Sequence, residues 1–213
     1  MTYTPEETFA DTAFDPEVLD AMEYRQHVEP EAVDGIMRMR PYQVECVDAC
    51  FEAWREWDSL MIVLATGLGK TIVAADIVNR WPTAFGRILF IAHMQELIFQ
   101  AQDKIGLHTD ERPSIEMGMY RESDNGHELL DRSKCLVASI QTMNKRMKKF
   151  DPRNFGLVIW DEFHHAGAAT YRRLWDYLKA GNPHIRSLGI TATPYRGDQI
   201  SLGCIADHCC YEM

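Results

Sequence analysis

The sequence predicts an α/β fold: a mainly parallel, doubly wound sheet with helices on both faces. Short apolar runs of strand length alternate with helical patterns over most of the chain, as expected of parallel strands joined by crossover helices. One run, Leu60 to Ala65, breaks at Thr66-Gly67-Leu68-Gly69 and restarts at Lys70-Thr71 as an apolar helix. Another, Leu157 to Trp160, ends on two adjacent carboxylates, Asp161 and Glu162. Both breaks fall at the carboxyl ends of strands, where open parallel sheets bind ligands.

Met1 to about Asp34 holds ten acidic residues and one basic residue, Arg25. Asp15 before Pro16 reads as an N-cap with proline at the first helical position, predicting a helix from Pro16 to about Val28. Residues 1–34 are therefore expected to form an acidic appendage and residues 35–213 the main domain. The plain reading of the appendage is a solvated arm; the functional one is an acidic flap that mimics nucleic acid and blocks a site. From Arg40 the text becomes RPYQVECVDACFEAWREW, with Tyr42, Cys46, Ala49, Cys50, Ala53 and Trp57 at helical spacing and Pro41 at the helix start. Gln43 lies in that first turn. Its carboxamide offers a donor and an acceptor, the pair that reads the N6 and N7 edge of adenine; taken alone it is an exposed helix residue.

Beyond the glycine-loop helix, Arg87 to Ala92 reads as a second buried strand and Gln95 to Lys104 as a helix. A polar, turn-rich segment around Glu122 to Gly126 leads to a third strand, Cys135 to Ser139, and a helix at Ile140 to Met147. The strand Leu157 to Trp160, a helix about Tyr171 to Lys179 and a strand Ser187 to Thr191 complete the alternation.

With 213 residues, 46% of them hydrophobic and 25% charged, the chain has the length and composition of one large domain with an appendage. No apolar run approaches the roughly 18 to 20 residues of a membrane span, and the acidic N-terminus is unlike a signal peptide, which predicts a soluble cytoplasmic protein. The six cysteines have no framework spacing and read as thiols. Cys204, His208, Cys209 and Cys210 resemble a metal cluster, but vicinal Cys209 and Cys210 cannot easily point the same way in a strand. Buried or half-buried strand residues are the better reading. The formal net charge is −10, yet outside the first 34 residues 22 acidic residues face 21 basic ones. Global charge thus neither demands nor excludes a polyanionic partner.

A phosphate chain needs close approach of several backbone N–H groups and the positive end of a helix, and Gly67, Gly69 and the turn opening at Lys70 supply both. The Lys70 ammonium then reaches phosphate oxygens, and the Thr71 hydroxyl completes the shell of a bridging Mg²⁺. A glycine-broken turn with a surface lysine is the alternative. It explains the glycines but not Lys-Thr at the helix start. In such a fold Asp161 reads as the metal carboxylate and Glu162 as the general base for an attacking water; acidic residues at a helix N-terminus are the alternative for either one singly.

Arg40-Pro41-Tyr42-Gln43, Ala65 through Thr71, Asp161-Glu162-Phe163-His164 and Thr191-Ala192-Thr193-Pro194 resemble, in order and spacing, the motifs of superfamily-two helicases. The DExH branch with type III restriction-enzyme subunits is the most similar, and there an apolar residue commonly stands where Leu64 replaces the usual first glycine. The resemblance covers about Met39 to Tyr195 and implies a RecA-like ATP-binding domain using ATP and Mg²⁺. It implies that Arg40 and Gln43 read adenine, that Thr66 to Thr71 hold the triphosphate and metal, and that Asp161 and Glu162 carry the catalysis. His164 and Thr191-Ala192-Thr193 would couple hydrolysis to nucleic-acid movement. His93, Gln95, Ser139, Gln141 and Thr142 fall where the family touches the phosphate backbone, though each reads equally as a cap or loop residue. Lys145, Arg146, Lys148 and Lys149 form a dense basic run, either a solvated face or a contact to nucleic acid.

The resemblance further implies that nucleic acid, DNA rather than RNA, is the partner. A second RecA-like domain or subunit would supply the arginine fingers; Arg196 stands on the wrong domain for that role. An arginine finger is worth roughly 10³ to 10⁵ in rate, so this half alone is expected to turn ATP over very slowly. A competing reading of the same residues is a nucleotide-regulated nucleic-acid-binding or interaction module with little catalysis of its own.

Overall fold

The computed structural model describes residues 39–109, 111–122, 133–165, 169–193 and 206–213. The acidic segment 1–34, with the helix expected at Pro16 to Val28, lies outside them, as do Pro194, Arg196 and Cys204. Helix α1 (Pro41–Ala53) starts at the expected proline, and strand β1 (Ser59–Val63) leads through the glycine loop into α2 (Lys70–Arg80). Then follow β2 (Arg87–Ala92), α3 (Gln95–Thr109), β3 (Ser114–Met117), β4 (Tyr120–Arg121), β5 (Cys135–Ser139) and α4 (Ile140–Arg146). The remainder is β6 (Phe155–Asp161), α5 (Ala169–Gly181), β7 (Arg186–Thr191) and β8 (His208–Glu212).

The eight strands form one sheet in the order β4-β3-β5-β2-β6-β7-β1-β8. Every neighbouring pair is parallel except the β3–β4 hairpin. Strands buried on both faces need apolar residues at consecutive positions, and RILFIA and CLVAS supply them. Leu89, Ile91, Leu136, Ala138, Val158 and Trp160 pack with Met143 of α4 and Leu174 and Leu178 of α5. The alternate residues Ile88, Phe90, Val137 and Ile159 are equally buried, on the face covered by α1, α2 and α3. None of the helices among the described residues is long and apolar enough to cross a membrane.

The five strands read as apolar runs are all present. The sequence reading missed the β3–β4 hairpin because Glu116 interrupts the apolar run SIEM; the structure buries that carboxylate completely and pairs it with Arg146. Strand β8 bears out the strand reading of Cys209 and Cys210 and the half-burial of Cys210, but corrects the burial of Cys209. It is an edge strand, so Cys209 is exposed and Cys210 half-buried. Helix α1 ends at Ala53, which leaves Trp57 outside it and 43% exposed rather than on its apolar face.

One close approach positions the end of β6. Phe163 is fully buried, and its ring lies flat against the backbone of Gly189 in β7, where a Cβ would collide with three ring atoms. Gly189→Ala is therefore expected to displace Phe163 and to destabilise the domain by about 1–3 kcal/mol, measured by urea unfolding. Gly118→Ala is the comparison for a bare glycine effect, because no atom lies within 4 Å of its built Cβ and its cost is confined to φ +54.

Candidate functional site

The glycine loop is fixed at its root before it turns. Leu64 N–H donates to Thr191 O of β7 at 2.9 Å, and Ala65 N–H donates to Met213 O, just past β8, at 3.1 Å. Leu64 itself is fully buried, which explains an apolar residue at this position. Gly67 and Gly69 both have positive φ, +90 and +82, a region that other residues enter at a cost. Gly69 caps α2, accepting from Ile72 N–H at 2.8 Å. A side chain at Gly69 would also collide with the carboxamide of Gln43.

That carboxamide is not the exposed group of the simplest reading. Gln43 is 5% exposed; its Nε2 donates to Leu68 O at 2.9 Å, and its Oε1 accepts from Arg40 N–H at 2.8 Å. The Tyr42 hydroxyl donates to the same Leu68 carbonyl at 3.0 Å and accepts from the Arg40 guanidinium at 3.3 Å. Arg40, Tyr42 and Gln43 thus hold the loop through one backbone oxygen. Thr66 is exposed and Thr71 half-exposed at the loop's two ends.

Opposite the loop, Asp161 closes β6 and Glu162 follows in the left-handed region, φ +52. A non-glycine residue there stores strain, held by the surrounding packing. Lys70 Nζ lies 3.4 Å from Glu162 Oε1, and His164 Nδ1 lies 3.3 Å from Glu162 Oε2. Burial, and then the neighbouring Glu162 charge, push the Asp161 carboxyl up to about 6, against the opposing pull of Lys70 and His93. Tyr171, at the start of α5, was missed by sequence reasoning, since a tyrosine on an apolar helix face carries no motif. Burial and the same two carboxylates push its phenol up to about 12, and its hydroxyl is buried without a hydrogen-bond partner among the described residues.

The end of β7 is held by local hydrogen bonds. Thr191 is fully buried, its hydroxyl donating to Thr193 O at 3.0 Å and accepting from Thr193 N–H at 3.3 Å. His93 and Gln95 are exposed at the end of β2, beside the end of β5. Ser139 is 6% exposed and caps α4, accepting from Thr142 N–H at 3.1 Å and donating to Thr142 Oγ1 at 2.8 Å. Gln141 reaches back to His93 O at 3.4 Å. In the basic run, Arg146 belongs to the fold, bound to Glu116 and to Gly118 O, whereas Lys145, Lys148 and Lys149 project into solvent.

The family model described as "Type III restriction enzyme, res subunit" matches residues 36–196. The chain belongs to that family. It has the fold and the relatives of a first RecA-like domain of the superfamily-two helicase type. The chain is 32% identical over 185 residues to the IRC3 protein of Saccharomyces cerevisiae, a proposed ATP-dependent helicase, covering 82% of this chain and 26% of that protein. With the DNA 3'-5' translocase XPB2 of Sulfurisphaera tokodaii it shares 29% identity, covering 83% of this chain and 37% of the relative. The Pyrococcus furiosus Hef helicase domain has the same fold, with a TM-score of 0.67 at 24% identity, over 81% of this chain and 37% of that one. The chain therefore spans roughly a quarter to a third of these relatives. In this res-subunit domain the matched segment contains the glycine loop, the β6 carboxylates and Thr191 together.

The raised Asp161 sets a pH dependence. A carboxyl whose folded value lies above its unfolded one contributes stability at low pH that is lost as pH rises through about 6. In chelator-treated protein, Asp161→Asn is expected to match the parent at pH 4 and to exceed it by on the order of 2 kcal/mol at pH 7.5, measured by denaturant unfolding. A gap independent of pH would mean that the carboxylate is not strained by its surroundings.

Proposed function

We propose that this domain is the ATP-binding half of a cytoplasmic, DNA-dependent helicase or translocase that hydrolyses ATP to ADP and phosphate. The observation that carries it is the Lys70–Glu162 pair, 3.4 Å apart, formed between a glycine loop and the carboxylate end of β6. Lys70 is the phosphate ligand of this reading, and Arg40 and Gln43 read the adenine edge. Gln43 does so from a position already bonded to the loop, so base recognition and loop geometry are linked through Leu68 O.

The residues present fit a Mg²⁺ ion. The Thr71 hydroxyl and Asp161 carboxylate are the hard oxygen donors that ion takes, and the raised Asp161 marks a buried negative charge short of a counter-ion. When bound, the ion neutralises charge on the β- and γ-phosphates. The chain's own groups do the rest. Lys70 leaves Glu162 for the incoming phosphate oxygens, and Glu162 is left with His164. Glu162 then orients a water and takes its proton as the water oxygen bonds to the γ-phosphorus and the bond to the β-phosphate oxygen breaks.

The arginine fingers belong, in this reading, to a second RecA-like domain or subunit. The exposed rim formed by His93, Gln95, Gln141 and Thr142 receives the phosphate backbone, with Ser139 holding Thr142 in place. Lys145, Lys148 and Lys149 extend that rim with positive charge. DNA is preferred to RNA because the XPB2 relative is named as a DNA translocase.

Lys70→Ala is expected to abolish ATP binding by isothermal titration, whereas Glu162→Gln retains binding and loses the slow phosphate release of the parent, measured over long incubation with DNA present. Unchanged ATP affinity in the lysine variant would remove the loop from the site, and equal turnover in the glutamine variant would remove Glu162 as the base. For the basic rim, replacing Lys145, Lys148 and Lys149 with glutamine should weaken DNA binding and reduce the log–log salt slope by up to about 3. Arg146 is left intact in that variant because it neutralises buried Glu116. Affinity and slope equal to the parent's would make these lysines a solvated face.

A further inference from the structure

One cluster of reactive side chains lies away from the carboxylates and takes no part in the proposed reaction. Cys50, in the middle of α1, is fully buried, and Cys210 is half-buried on edge strand β8, which packs against α1. Their Sγ atoms are 3.7 Å apart although 160 residues separate them in sequence. Cys210 Sγ also donates to Met61 O of β1 at 3.6 Å, which fixes the thiol on the face of β8 turned toward α1. Cys209 alternates to the other face, is exposed, and turns toward Tyr211 O at 3.8 Å. Cys46 is buried one turn before Cys50 on α1. Among the described residues no group of three metal-binding side chains is placed to hold an ion.

We propose that Cys50 and Cys210 are an oxidisable pair that closes into a reversible disulfide stapling edge strand β8 to α1. A disulfide needs S–S of about 2.05 Å, so the two sulfur atoms have to close by roughly 1.7 Å, within reach of side-chain rotation in elements already packed together. The two thiols are also unequal. The Cys50 S–H stabilises Cys210 as thiolate and lowers its pKa, while burial and the neighbouring thiols hold Cys50 well above the usual range. Cys210 is thus both the more accessible and the more nucleophilic sulfur.

With a peroxide as oxidant, the Cys210 thiolate attacks one peroxide oxygen, the O–O bond breaks, and the leaving hydroxide takes a proton to give water. Cys210 is left as a sulfenic acid. Cys50 then attacks the Cys210 sulfur, the S–S bond forms, the S–O bond breaks, and the Cys50 proton leaves with the hydroxyl as a second water. Two thiols have lost two electrons and two protons, and one peroxide has become two waters. The product ties together two elements that both hold the glycine loop. Helix α1 does so through Tyr42 and Gln43, and β8 through Met213, which binds Val63 and Ala65.

The test treats the full chain with hydrogen peroxide, blocks remaining thiols, and maps linked peptides by mass spectrometry without reduction. Tryptic cleavage leaves Cys46 with Cys50, and Cys204 with Cys209 and Cys210, so single variants decide which pair is joined. The expected result is a link between these two peptides with loss of two hydrogens, reversed by dithiothreitol, that persists in Cys46→Ser, Cys204→Ser and Cys209→Ser. It should disappear in Cys210→Ser and Cys210→Ala, changes at a half-buried edge position that leave the reduced fold in place. The linked chain is expected to melt about 5 °C or more above its reduced form, the effect of closing a long loop. A link that survives loss of Cys210, thiols consumed without any link, or a linked chain that melts no higher than the reduced one would overturn the proposal.

Discussion

Lys70 opens α2 beyond β1 and Glu162 follows the end of β6, and β7 lies between those two strands, so about 10 Å of sheet separates the strands that lead to them. A lysine side chain spans that gap only if the intervening strand end is low and the carboxylate turns back toward it. At that strand end Thr191 is buried and Ala192 half-buried, both with short side chains, and the left-handed Glu162 provides the turn. The strain at Glu162 is held from behind. Phe163 is locked into the core over Gly189, so the residue before it has little freedom to relax. One absent Cβ in β7 thereby fixes the direction of a carboxylate at the end of β6.

On the other side of the loop the constraint is a single carbonyl. Leu68 O accepts from both Tyr42 and Gln43, which ties α1 to the loop independently of the sheet. A loop held by its carbonyl keeps its N–H groups available for an anion, the requirement that any phosphate places on it. The same arrangement explains why glycine is needed at position 69 for two reasons, backbone conformation and room for the glutamine.

The sheet and the site were legible in the sequence to different depths. Fully buried parallel strands cannot hide, because RILFIA and LVIW have no other stable setting, and the loop announced itself through Gly67, Gly69 and Lys70 together. The β3–β4 hairpin was hidden by Glu116, whose burial depends on Arg146, thirty residues away. Spacing placed Gln43 near the loop but not its burial, because a glutamine becomes a core residue only once Leu68 O is in reach. Likewise the basic run looked uniform, and only the tertiary pairing separates Arg146 from its lysine neighbours. Tyr171 had no pattern to reveal it. These are all pairings across distant segments, which local periodicity does not carry.

The charge of the domain also has to be read locally. A net charge of −10 opposes a polyanion at long range, but it is concentrated in residues 1–34, and salt screens it beyond about 10 Å. What matters at the carboxyl ends of the strands is that Asp161 and Glu162 are adjacent, with Lys70 3.4 Å from Glu162. Burial first, and the adjacent Glu162 charge second, raise Asp161, and Lys70 and His93 offset them only in part. A ligand consisting of phosphate alone would add negative charge beside these carboxylates. Under the proposed function Thr71 and Asp161 would hold a divalent cation arriving with the phosphate, and Lys70 would turn from Glu162 to the phosphate. In the proposed ATPase the unliganded domain thus disfavours a bare anion and accepts a metal–nucleotide complex, a selectivity set by buried charge rather than by shape.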